Sequence, residues 1–190
     1  MTIRKKMNAS LVERGVKLTL TDFVAKTVVT SLKKHPKMNA TLENGRLAFH
    51  ERVHLGIAVA LDVGLMVPVI NDACCLTIKG LSKRIRENAD EVRSGRVQAE
   101  SLKGSTFTIS NLEKYDVEYF TPVLNPPEIG ILGVGRVMPE AVFIGDHVEK
   151  RMIQPLSLTF DHRAIDGAPA ADFLQTVKTM LEQPYRTLAE

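Results

Sequence analysis

Between Ser105 and Phe160, five apolar, β-favouring runs follow one another with no helical period between them: "STFTISNL", "EYFTPVL", "EIGILGVGRV", "AVFIG" and "MIQPLSLTF". Such a stretch commits this part of the chain to a sheet, so the helices that cover it must come from elsewhere. "TLTDFVAKTVVTSLKKHP" sets Val24, Val28 and Leu32 at helical spacing, with Thr19 and Asp22 as a capping pair and Pro36 as the stop. "TIKGLSKRIRENADEVRSG" turns Ile78, Leu81, Ile85 and Val92 inward and Lys79, Lys83, Arg86 and Glu87 to water. A last helix carries Ala170, Phe173, Leu174, Val177 and Leu181, and Ile3, Met7 and Leu11 before Gly15 predict another at the start. "RLAFHERVHLGIAVALD" and "LMVPVI" read as strands, the second apolar enough to be buried. No repeat or linker interrupts the pattern, so it predicts one α+β domain on a mixed or largely antiparallel sheet.

Composition narrows the function. A chain of 190 residues with 44% apolar content can build a substantial core. The net charge is only +3 and its basic residues are dispersed. With 5% aromatics and no Trp, a basic groove with stacking platforms for nucleic acid is disfavoured. No apolar run approaches the ~20 residues of a membrane helix, and no signal peptide opens the chain. Cys74 and Cys75 are adjacent, which suggests reduced thiols in a cytosolic protein rather than a disulfide framework.

Four features could carry chemistry. "HERVH" places His50 and His54 four apart, but the stretch reads as a strand and offers no third ligand, so a metal site is disfavoured. "GILGVG" holds Gly130, Gly133 and Gly135, yet a strand follows where a dinucleotide loop needs a helix. Cys74 or Cys75 could act as a nucleophile, but no His neighbours them in sequence, and small buried hydrophobes are the commoner role. "LSLTFDHRAIDGAPAADFL" is different: His162 falls at a strand-to-helix corner between Asp161 and Asp166. A histidine so placed, with one nitrogen held by a local acceptor, offers the other as a base near neutral pH; a satisfied structural histidine fits the pattern equally. At least one of the two acids is expected to be structural, orienting the ring or pairing with Arg163.

Together, "FDHRAIDG", "GSTFTISNL" and "FTPVLNPPEIGILGVGRV" resemble the catalytic domain of dihydrolipoamide acyltransferases, the cores of 2-oxo acid dehydrogenase complexes. The resemblance runs in order over essentially the whole chain, including "LTLTDFVAKTVVTSLKKHPKMNA" and "VALDVGLMVPVI". It implies a two-layer fold like that of chloramphenicol acetyltransferase and transfer of an acyl group from a lipoyl thioester to coenzyme A. By the same resemblance His162 is the general base on the thiol, Ser110 of "FTIS" donates to the oxyanion, and Asp166 organises the site. The family builds each site between neighbours of a homotrimer, which assembles further into a cubic or icosahedral core. The resemblance also implies a decarboxylating dehydrogenase and dihydrolipoamide dehydrogenase as partners. The location it implies is cytoplasmic, or the mitochondrial matrix in a eukaryote.

Two departures from the pattern stand out. Residues 1–190 read as the catalytic domain without the strand and helix that normally open it, and the lipoyl and peripheral-subunit-binding domains are absent, so the lipoyl group is expected on another domain. After "TISNL", Glu113 and Asp116 occupy positions where the family often has glycines, which predicts a changed loop beside Ser110. Antibiotic acetyltransferases and condensation domains of the same superfamily usually carry His-His-x-x-x-Asp-Gly, whereas Asp161 takes the first of those positions here. A non-catalytic scaffold would keep all these motifs.

Overall fold

The computed structural model describes residues 17–184. The helix expected before Gly15 lies outside them. Helix α1 (Leu20–Lys34) begins where expected: Thr19 Oγ1 accepts from the Asp22 N–H at 3.3 Å and Asp22 Oδ2 accepts from the Thr19 N–H at 2.7 Å. It ends at His35, before Pro36. The same Asp22 Oδ2 accepts from Ser82 Oγ at 2.7 Å, which ties α1 to α2 (Ile78–Arg93). Val24, Val28 and Leu32 are buried, but so are Ala25, Thr27, Val29 and Ser31. This helix is therefore covered on every side, because α2 and α3 (Gly167–Glu182) both pack on it and all three share one core with the sheet.

The main sheet has five strands: β3 (Leu55–Ile57), β6 (Val69–Ile70), β7 (Phe107–Asn111), β8 (Gly130–Val134) and β11 (Leu156–Phe160). Their order is β11-β8-β7-β3-β6, with β7 parallel to both β8 and β3 and the outer pairs antiparallel, so the sheet is mixed. Three two-stranded pairs flank it: β1 (Ala40–Glu43) with β2 (Arg46–Phe49), β4 (Val59–Ala60) with β5 (Leu65–Met66), and β9 (Met138–Ile144) with β10 (His147–Ile153). Period two assigns the faces of β7. Phe107 and Ile109 enter the core, where the Phe107 and Phe173 rings lie 5.4 Å apart; Thr108 and Ser110 point to the other face.

Several sequence readings change. "EYFTPVL" forms no strand. It crosses the end of β8 instead, held by Arg136 N–H to the Val117 carbonyl at 2.8 Å and Ser157 Oγ to the Phe120 carbonyl at 2.5 Å. Pro122 has no N–H to give a ladder, and a side chain at Gly135 would fall on the Glu118 carbonyl. "LMVPVI" is broken at Val67–Pro68, with Leu65 exposed and only Pro68, Val69 and Ile70 buried. "HERVH" is a bend joining β2 to β3 rather than one continuous strand.

Candidate active site

β11 ends at Phe160, residues 162–164 turn, and α3 begins at Gly167, so His162 does sit at a strand-to-helix corner. The two flanking acids have separate partners. Asp161 accepts from the Arg163 guanidinium at 2.6 Å and from its backbone N–H at 3.0 Å. The guanidinium first, and then that N–H, hold the Asp161 carboxyl down at about 2. Asp161 is thus the structural acid.

Asp166 occupies the N-cap position of α3, yet its carboxylate accepts no helix N–H. It faces His162 instead, with Nδ1 to Oδ1 at 3.9 Å, an ion-pair distance too long for a hydrogen bond. Within the chain the imidazole is therefore steadied by the Phe160 ring, 5.6 Å away between centroids, and not by the hydrogen-bonded acceptor expected from the sequence. The side chains of His162 and Asp166 are 70% and 86% exposed, so this corner is uncovered in a single chain.

Ser110 lies level with Gly133 on β8, while the Asp161 N–H binds the Ile129 carbonyl at 2.8 Å. His162 and Ser110 are consequently about five residues apart along the strands and two strands apart across them. At ordinary sheet spacings that is roughly 17 Å by ~10 Å. No single reacting atom can touch both side chains of one chain.

A buried carboxylate beside Thr108, on the strand that carries Ser110, escaped the sequence reading. Glu128 is only 3% exposed. Its Oε1 accepts from Thr108 Oγ1 at 2.9 Å, from Asn125 Nδ2 at 2.8 Å and from Ser105 Oγ, whereas Oε2 is buried without a partner among the described residues. Burial pushes its pKa up, against the pull of those three hydrogen bonds. Thr108 shares Ser110's face of β7, so this network fixes the strand that carries the serine. The one available sequence signal was a lone acid entering the apolar run of "NPPEIGILGVG".

The loop after β7 forms a short turn at Glu113–Tyr115, and Asp116 adopts a left-handed φ of 59° with its carboxylate 2.6 Å from Arg136. His50 Nε2 lies 2.9 Å from Thr41 Oγ1, and His54 Nδ1 accepts from the Asp72 N–H at 3.2 Å. Cys74 is half-buried and Cys75 is exposed, so the buried role expected for both fails for Cys75: the turn Ala73–Cys75 buries Ala73 and directs Cys75 outward. A hydrogen bond with Cys74 pushes the Cys75 thiol up, the wrong direction for a nucleophile. A strand follows "GILGVG", as expected.

Residues 1–189 match the family model described as 2-oxoacid dehydrogenases acyltransferase (catalytic domain). The dihydrolipoyllysine-residue acetyltransferase component of the acetoin cleaving system of Bacillus subtilis is 50% identical over 184 residues, 96% of this chain and 46% of that protein. The chain thus spans about half the length of that relative. One solved structure comes from an investigation of a serine, a histidine and an asparagine in the catalytic mechanism of Azotobacter vinelandii dihydrolipoamide acetyltransferase. It is 34% identical with a TM-score of 0.93, covering 98% of this chain and 78% of its own. A second, of the cubic core of the pyruvate dehydrogenase multienzyme complex, is 35% identical with a TM-score of 0.93 and the same coverage. Chloramphenicol acetyltransferase, at 13% identity and a TM-score of 0.59 over 94% of this chain and 82% of its own, shares the fold. With the family model matched over nearly its whole length, the chain belongs to the acyltransferase catalytic domains of the 2-oxo acid dehydrogenases.

Proposed function

We propose that this domain transfers an acyl group from a lipoyl thioester to coenzyme A, with His162 as base and Ser110 as oxyanion donor. The observation that carries the reading is a spacing. In the Azotobacter enzyme the named histidine follows the named serine by 52 residues and precedes the asparagine by four. His162 follows Ser110 by the same 52 and precedes Asp166 by four. An aspartate here stands where that enzyme has its asparagine.

The chemistry follows from the groups. A thiol of pKa ~8.5 is mostly protonated at neutral pH. With Nδ1 turned to Asp166, Nε2 of His162 takes the coenzyme A thiol proton as the sulfur attacks the thioester carbon. The carbonyl electron pair moves onto oxygen, where the Ser110 hydroxyl donates to it. Collapse restores the carbonyl and breaks the bond to the lipoyl sulfur, which recovers the proton from the imidazolium. The base is worth about 10²–10⁴-fold and the hydroxyl about 10²–10³-fold.

Because one chain holds the two side chains far apart, the site is shared: one copy gives His162 and the next gives Ser110. Such a head-to-tail contact closes into a ring, and a trimer within a larger core is the assembly proposed. A decarboxylating dehydrogenase loads the lipoyl group, and dihydrolipoamide dehydrogenase reoxidises it. The setting proposed is the cytoplasm, and no helix among the described residues is long and apolar enough to cross a membrane.

The test is acyl exchange between acetyl-CoA and dihydrolipoamide, run on the parent and on His162→Ala at matched assembly state. The parent is expected to turn over and the variant to fall by about 10²–10⁴. Equal rates would refute the mechanism, and an inactive, fully assembled parent would favour the scaffold.

A further inference from the structure

Two motifs that the acyl-transfer chemistry leaves unused, "HERVH" and the Cys74–Cys75 pair, meet in the fold. Arg52 Nη1 lies 2.9 Å from Asp72 Oδ2, His54 Nδ1 accepts from the Asp72 N–H at 3.2 Å, and the Ala73 N–H binds the Val53 carbonyl at 2.8 Å. Beyond the cysteines, the Leu76 carbonyl accepts from Nζ of Lys26 on α1 at 3.1 Å. The turn Ala73–Cys75 is thus held at both ends, and the Cys75 N–H closes it onto the Asp72 carbonyl at 2.9 Å. It sets Cys74 against the core and Cys75 in solvent, with the two thiols hydrogen-bonded to each other.

Two thiols in contact on a fixed turn form a chelating pair, because the second donor is already in place when the first one binds. The chemistry of the pair selects its ligand. A structural zinc ion takes four ligands, and among the described residues no group of three or more His, Cys, Asp or Glu converges. Soft cations also need thiolates, whereas the hydrogen bond from Cys74 keeps the Cys75 thiol protonated. A trivalent arsenic oxide has neither requirement. It is satisfied by two sulfurs, and its own oxygen carries the thiol protons away.

We propose that the Ala73–Cys75 turn presents Cys74 and Cys75 as a preformed dithiol site for trivalent arsenicals. With an organoarsenic oxide, two arsenic–sulfur bonds form as the arsenic–oxygen bond breaks. Both thiol protons leave on that oxygen as one water, and arsenic stays trivalent. Cys75 is the point of entry and Cys74 the anchored second donor. The site is separate from the proposed acyl-transfer residues: β6, which leads into the turn, and β11, which leads into His162, are opposite edges of the sheet.

Phenylarsine oxide is the probe, added in equal amount to the whole native chain and followed by mass spectrometry and thiol titration. With only two cysteines in the sequence, any adduct is assigned at once. The parent is expected to hold one arsenic, to lose both titratable thiols, to keep the adduct in excess mercaptoethanol and to release it to dimercaptopropanol. Cys74→Ser and Cys75→Ser are each expected to lose the adduct to mercaptoethanol, since one sulfur binds no better than the competing monothiol. In urea above the unfolding midpoint the parent is expected to bind at least about tenfold more weakly, because the turn no longer holds the pair together. A parent that takes up no arsenic, or an adduct that survives mercaptoethanol in either single variant, would overturn the site. Equal affinity in the folded and unfolded chain would overturn the part assigned to the turn.

Discussion

Two acids within four residues of His162 divide their work by what else is near them. Arg163 engages Asp161 from both its backbone and its side chain, whereas Asp166 caps nothing and is left facing the imidazole. The position of His162 was legible in the sequence because a strand pattern ends and a helix begins around it. The division between the acids was not, since two carboxylates near an Arg and a His are equivalent until turn geometry separates them. Glu128 was hidden for a related reason: its partners Ser105, Thr108 and Asn125 come from β7 and two neighbouring loops. Its raised pKa has a consequence for stability. The folded state favours the protonated acid, so that contribution is fully present below the ordinary Glu value of about 4.3 and is lost as pH rises through the folded value. Glu128→Gln is expected to flatten this decline in thermal melts taken from pH 4 upward. A variant with an unchanged slope would assign it to other groups.

Helices and strands differed in how well their signals carried. Each of the three described helices has its apolar spacing, and two have side-chain caps that a local sequence reading can find. "EYFTPVL" has strand composition but not strand structure, because its fate is set by what it crosses. The glycines of "GILGVG", tested above as a phosphate loop and rejected, are where that crossing occurs: Cβ atoms at Gly133 and Gly135 would strike Ser157 and the Glu118 backbone. Gly135→Ala is therefore expected to destabilise the chain by about 1–3 kcal/mol through forced backbone displacement, measured by urea unfolding. A change below a few tenths would show that the crossing segment moves aside freely. Gly133 lies level with Ser110 on β8, and Gly135 lies just past that strand's end against the crossing segment, so the glycines here serve close packing around the crossing.

Under the proposed mechanism a single copy of this domain is chemically incomplete. His162, the proposed base, is exposed at one end of the sheet, Ser110, the proposed oxyanion donor, lies near the other, and an apolar hairpin projects from the serine's end. Beyond the family resemblance this separation was not legible in the residues, because it depends on the order and register of β7, β8 and β11. Mixing two inactive chains, His162→Ala and Ser110→Ala, under conditions that allow subunit exchange tests whether catalysis is shared. Each mixed site draws its histidine and its serine from different copies, so random exchange at equal amounts should restore about a quarter of the parental acyl-exchange rate. A mixture that exchanges subunits fully yet stays at the level of the separate variants would contradict the shared site.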